Sequence, residues 1–151
     1  MKNEKDLYQV SLKLLLKNEK DEILVLNHRK DSAFFGFYDL PGGRIHKDEF
    51  KTPLLKILKR EVKEETGNVR FTVNPAPVAV GRTEVTQLEA PRQKEKEVHF
   101  LFLFFEGKYL GGKIKISNEH TGYAWLSPSK SNLSKYFTRG ILEGVKMYLR
   151  R

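Results

Sequence analysis

Between Tyr8 and Leu16 apolar and polar side chains alternate, with Val10, Leu12, Leu14 and Leu16 set against Ser11 and Lys13. A period of two predicts a β-strand there. The polar stretch Lys17–Glu22 reads as a turn, and Ile23–Leu26 as the second arm of a hairpin. A basic cluster, Asn27–Lys30, leads into an aromatic loop, Phe34-Phe35-Gly36-Phe37-Tyr38. The period then changes. Leu54, Leu55, Ile57, Leu58 and Val62 recur at helical spacing, behind a Thr52-Pro53 start and ahead of a Gly67 stop. Val69–Val73 and Val78–Val85 read as strands around an Asn74–Pro77 turn, the second interrupted at Gly81. Thr86–Glu97, polar and carrying Pro91, reads as a long exposed loop.

Val98–Glu106 is apolar on both alternating faces and predicts a central strand buried on both sides. Gly111-Gly112 turns the chain into a short strand, Lys113–Ile116, and an aromatic strand ends at Trp125-Leu126. Leu133–Leu149 reads as one closing amphipathic helix with Phe137, Ile141, Leu142, Val145 and Leu149 as its buried stripe. This order of elements predicts an α/β fold, a mixed sheet with helices on both faces, in a single domain over residues 1–151.

The chemistry sits on the polar side of the first helix. Glu61, Glu64 and Glu65 fall within one and a half turns, with Arg60 over Glu64. Like charges at this spacing destabilise a helix by about 0.2–0.5 kcal/mol per pair. Either a bound cation compensates them, or they form a solvated face countered by Arg60 and Lys63. Clustered hard oxygens suit Mg²⁺ or Mn²⁺ shared with substrate phosphates. Upstream, Pro41-Gly42-Gly43 makes a tight turn that frees backbone N–H groups for a close ligand.

Gly43, Glu49 and the run REVKEETG, Arg60–Gly67, together resemble the box of the Nudix hydrolase family. That box is Gly, five residues, Glu, seven residues, then Arg-Glu-apolar-X-Glu-Glu-X-Gly-apolar. Two departures stand out. Ten residues separate Glu49 from Arg60, three more than the pattern has, and Asn68 follows Gly67 where an apolar residue is usual. The insertion leaves open whether Asp48, Glu49 or neither fills the loop-acid position. A later segment, Glu119–Leu126, resembles a second landmark, a Glu-containing loop before an aromatic strand ending in Trp-apolar-Ser-Pro. The resemblance spans Tyr8 to the C-terminus and implies a Nudix-like α/β/α sandwich.

It also implies an activity: Mg²⁺- or Mn²⁺-dependent cleavage of a pyrophosphate bond in a nucleoside diphosphate linked to another moiety. In that reading Glu61 and Glu65 are direct metal ligands, Glu64 shares or bridges, and Arg60 fixes a neighbouring carboxylate. The general base comes either from the box or from Glu119, six positions ahead of Trp125. Arg29, Gly42, Gly43 and Arg44 are candidate substrate contacts, with His28 and Lys47 flanking the same turn. Glu95 and Glu97 are weaker candidates for an additional ligand. His99 and His120 carry no metal-ligand spacing and read as ordinary polar positions. Three rival readings remain: a Nudix-fold sensor that binds a nucleotide without turnover, a pyrophosphohydrolase acting on the 5′ end of RNA, and a basic nucleic-acid-binding domain with no catalysis, whose binding would depend steeply on salt and little on metal.

Composition narrows the partners. The chain has 151 residues, no cysteine and a net charge of +9. Disulfides and thiolate metal sites are thereby excluded. The positive charge calls for an acidic partner, which a nucleotide or, less readily, RNA would satisfy. The N-terminal MKNEKDLYQV lacks an apolar signal-peptide core, and the longest apolar run is too short to cross a bilayer, so a cytoplasmic location is expected.

Overall fold

The structure, a computed structural model, describes residues 3–151. Its strands are β1 (Tyr8–Lys17), β2 (Ile23–His28), β3 (Tyr38–Asp39), β4 (Gly42–Arg44), β5 (Arg70–Val73), β6 (Ala79–Thr86), β7 (Glu97–Gly111) and β8 (His120–Leu126). Helix α1 covers Leu54–Thr66, α2 Leu133–Tyr136 and α3 Arg139–Arg150. β1 and β7 run parallel over ten paired positions, and the remaining pairings are antiparallel, which makes the sheet mixed.

Alternation along β1 divides the core in two. Leu12, Leu14 and Leu16 pack with Leu24, Leu26 and Phe105 against Ile57, Leu58 and Val62 of α1. Leu15 faces the other way, joining Ile23, Val25 and Phe104 under Leu133, Phe137, Val145 and Tyr148. Each fully buried Leu, Ile or Phe contributes about 1.5–3 kcal/mol. The expected helix–sheet–helix layering follows from these two apolar faces.

β1 also changes partner. Ser11, Leu12 and Lys13 pair with β4, whereas Lys17 pairs with Ile23 of β2. Between them the Leu14 N–H donates to the Pro41 carbonyl at 2.8 Å. The sheet parts at this switch, and Lys13 lies beside the gap.

Several elements differ from the sequence expectation. α1 begins at Leu54 with Pro53, not Thr52, at its cap. Lys113–Ile116 is not a strand. Instead the Lys115 N–H donates to the Thr66 carbonyl at 2.8 Å and the Ser117 N–H to the Glu65 carbonyl at 3.1 Å. The segment thereby satisfies carbonyls that the last turn of a helix leaves without intrahelical partners. β6 runs unbroken through Gly81. The closing helix is two pieces, because Phe137 and Thr138 are extended; the Phe137 side chain is fully buried at the break, and Thr138 occupies the cap of α3. Among the described residues, no helix is long and apolar enough to cross a membrane.

Candidate active site

A cleft of about 680 Å³ opens where the sheet parts. Ser11 and Lys13 line its floor. Both are buried, so the polar half of the β1 alternation faces the cleft and not bulk solvent. Phe34, Phe100 and Phe102 supply an aromatic wall, and Arg44, Arg92 and Arg139 bring positive charge to it. The Arg44 guanidinium lies 5.4 Å from the Phe100 ring centroid and that of Arg139 5.0 Å from Phe34. Cations over aromatic faces at this range attract by about 0.5–2 kcal/mol. The connection between β6 and β7, the long exposed loop of the sequence reading, folds over the cleft through Ala90, Arg92, Gln93 and Glu95 and forms one of its walls.

At the inner end a charged network converges. Lys13 Nζ donates to Asp39 Oδ1 at 2.9 Å, and Asp39 Oδ2 lies 3.3 Å from His120 Nε2. His120 Nδ1 lies 3.5 Å from Glu65 Oε2, while Glu65 Oε1 accepts the Gly42 N–H at 2.7 Å. Glu65 is 4% exposed and His120 8%. His120 Nδ1 is buried, with no hydrogen-bond partner among the described residues.

Burial and charge oppose each other here. Burial pushes the Glu65 carboxyl up to about 7, against the opposing pull of Lys13. Burial also acts to raise Asp39, but Lys13, His120 and His28 outweigh it and hold the carboxyl well below the usual range. Desolvation works against the Lys13 ammonium, and Asp39 and Glu65 more than offset it, so its pKa is raised. Burial lowers His28.

The box residues occupy distinct places. Arg60 ties three carboxylates together: Glu49 at 2.6 Å, Glu64 at 2.9 Å and Glu61 at 3.2 Å. Despite the inserted residues, Glu49 thus reaches Arg60; it also accepts the His46 N–H at 3.0 Å. Asp48 is exposed. Glu61 is half-buried against Gly43, and burial raises its pKa. The Glu64 side chain is 57% exposed beside Arg60, outside the cleft lining.

Glu119 does line the cleft, with its carboxylate grouped with Glu65 and His120 so that one ligand atom of each lies within 4.8 Å of the others. Of the expected substrate contacts, Gly42, Gly43 and Arg44 line the cleft. Arg29 does not; its Nη1 donates to the Asn118 carbonyl at 2.8 Å, bracing the turn before Glu119. Lys47 also lies outside the lining, whereas His28 is in it. Glu95 lines the cleft, but Glu97 sits apart with Glu84 and His99.

Three residues at the centre escaped sequence reasoning: Lys13, Asp39 and His120. The available signal was a lysine within the apolar run of β1, since a charge is almost never buried in a strand without a partner. His120 is not an ordinary polar position, because β8 turns it inward onto Asp39 and Glu65.

The donor set fits a divalent cation. A buried carboxylate, an orphaned imidazole nitrogen and an exposed carboxylate converge, and the neighbouring ammonium is already taken by Asp39.

Comparison with known proteins agrees. The family described as NUDIX domain matches residues 7–141. The nucleoside triphosphatase NudI of Escherichia coli (strain E24377A) is 26% identical over 114 residues, covering 76% of this chain and 78% of its own. The crystal structure of a MutT protein from Methanosarcina mazei Go1 superposes with a TM-score of 0.68 at 27% identity, over 95% of this chain and 91% of that one. An ADP-ribose pyrophosphatase from Streptococcus suis shares the fold, with a TM-score of 0.62 at 20% identity over 95% and 91% of the two chains. With the layered sheet and the family match in agreement, the chain belongs to the Nudix hydrolase family.

Proposed function

We propose that this chain, acting as one domain over residues 1–151, hydrolyses a pyrophosphate bond in a nucleoside diphosphate joined to a further group, with Mg²⁺ or Mn²⁺ as cofactor. Nucleoside triphosphates are the simplest such compounds, the further group being phosphate, and one relative is named for that activity. The observation that carries the reading is the buried Glu65 carboxylate, held by the glycine turn at the inner end of a cationic, aromatic cleft.

Glu65, Glu61 and Glu119 would hold the metal, and Glu64 would share it from the exposed side of α1. A divalent cation there neutralises phosphate charge and lowers the pKa of a bound water. Arg60 is a positioning residue that ties the carboxylates of Glu49, Glu61 and Glu64 to one guanidinium. Arg44 and Arg139 meet the phosphates as they pass the aromatic wall, and Phe34, Phe100 and Phe102 offer faces on which a base stacks. Arg29 acts indirectly, bracing the turn before Glu119 at the Asn118 carbonyl. Glu119 accepts one proton from the attacking water; the water oxygen forms a bond to phosphorus, the bridging P–O bond breaks, and two phosphate-terminated products leave.

The test is a phosphate-release screen with nucleoside triphosphates, nucleoside diphosphate sugars, ADP-ribose, dinucleoside polyphosphates and 5′-triphosphate RNA. It is run with Mg²⁺, Mn²⁺ or chelator, beside Glu65→Gln and Glu119→Gln. Metal-dependent turnover of a nucleotide, lost in Glu65→Gln, is expected. Nucleotide binding without turnover of any compound would overturn the reading in favour of a sensor.

A further inference from the structure

We propose that His120 is a metal ligand. Its Nδ1 joins the carboxylates of Glu65 and Glu119 in a mixed nitrogen–oxygen site that takes a first-row transition ion such as Mn²⁺ or Co²⁺ in preference to Mg²⁺. The inference rests on the metal-dependent reading above and specifies a further ligand and the class of ion.

The imidazole's proton is fixed by its neighbours. Asp39, salt-bridged to Lys13, is ionised and can only accept, so the hydrogen of the neutral ring lies on Nε2, 3.3 Å from Asp39 Oδ2. Nδ1 is left with its lone pair. It is buried, has no hydrogen-bond partner among the described residues, and faces Glu65 Oε2 at 3.5 Å. With Glu65 ionised, two electron-pair donors confront each other at buried atoms, and a buried polar atom without a partner is costly. A cation between them, with Glu119 in reach of both, satisfies each one.

The Asp39–His120 contact is also the support that metal-bound histidines require. Such a ring almost always donates its second N–H to a carboxylate or carbonyl, which fixes the tautomer and raises the basicity of the ligating nitrogen. The opposite side of the ring is a poorer site. There His28 and Asp39 approach Nε2, but Lys13 already neutralises Asp39 and its ammonium would face any added cation.

Ligand type then selects the ion. Mg²⁺ strongly favours oxygen, whereas imidazole nitrogen is taken readily by first-row transition ions. Replacing one oxygen donor with Nδ1 therefore tilts the site away from Mg²⁺.

The experiment uses the full chain and Mn²⁺ alone, without nucleotide. Pulsed electron paramagnetic resonance is expected to show nitrogen coupling to Mn²⁺ that changes on ¹⁵N-histidine labelling. The coupling should persist in His28→Gln and disappear in His120→Gln. Calorimetry should show His120→Gln weakening Mn²⁺ by about 10–100-fold while Mg²⁺ changes far less. Mn²⁺ bound without nitrogen coupling, yet lost in Glu65→Gln, overturns the histidine ligand and leaves the hydrolase reading standing. No Mn²⁺ binding at all overturns both. Should His120→Gln fail to fold, a coupling that persists in His28→Gln, His46→Gln and His99→Gln assigns it to His120, and its loss in any of them overturns the assignment.

Discussion

Gly42 and Glu65 lie 23 positions apart and are joined by a 2.7 Å hydrogen bond, the Gly42 N–H donating to the carboxylate. The glycine turn therefore orients the acid that α1 presents, and neither element forms the site without the other. A Cβ on Gly42 would collide with the backbone carbonyl of Leu12, and its φ of +144° disfavours any side chain. A Cβ on Gly43 would first meet the end of the Glu61 side chain, which can move. The two alanine variants should thus separate fold from chemistry. Thermal melts should show Gly42→Ala losing more than about 1 kcal/mol. Gly43→Ala should stay folded but lose about tenfold or more in kcat/KM, because small misplacements of a catalytic group are costly.

Glu65 also makes stability depend on pH. Its carboxyl titrates at about 7 in the folded protein against 4.5 ordinarily, so the native state holds this proton more tightly than the unfolded chain. That contribution is fully present below pH 4.5 and is lost as pH rises through 7, a change on the order of 3 kcal/mol. In chelator, Glu65→Gln should therefore be more stable than wild type at pH 8, with the gap closing toward pH 4.5. Adding Mn²⁺ at pH 8 should reverse the order by stabilising only the wild type. Denaturant titrations at both pH values, with and without metal, check this.

Arg60 contacts Glu49, Glu61 and Glu64 with one guanidinium. Lysine offers a single ammonium and cannot span all three. Arg60→Lys should lower kcat by about tenfold or more while changing stability by no more than about 1 kcal/mol, since the group is partly exposed. A wild-type rate in this variant would remove Arg60 as a positioning residue.

The layered architecture and the acid-bearing helix were legible from periodicity and from the residues of the box. The inner end of the cleft was not, for a definite reason. Alternation states which residues share a strand face, but not whether that face meets water or a cleft, and Ser11 and Lys13 meet the cleft. Asp39 sits on a strand of only two residues, too short to leave a period. The pairing of Asp39 with His120 spans 81 positions and depends on β2 lying between β3 and β8, which local sequence does not reveal. The break at Phe137 was hidden because its apolar side chain continues the helical stripe while its backbone is extended.

Lys13 gives the sharpest stability test of that hidden network. Removing its ammonium leaves Asp39 unpaired beside two histidines, and breaking a buried pair from one side costs about 3–5 kcal/mol. Lys13→Met should show that loss in equilibrium unfolding, and adding Asp39→Asn should recover a substantial part of it. Additive losses in the double variant would show that the two side chains do not act as a pair.

The bonds from Lys115 and Ser117 to the end of α1 bear on how the family's box tolerates extra residues here. Ser117 grips the backbone of Glu65 and stands only two positions before Glu119 and three before His120. The spacing between the helical acid and the β8 side chains is thus set by a short local tether and not by the path taken to reach the helix. Three more residues between Glu49 and Arg60 lengthen that path, yet they are absorbed ahead of the helix without disturbing the tether. Insertions upstream of α1 are free to drift in length, whereas a single-residue change between Ser117 and His120 would pull the site out of register.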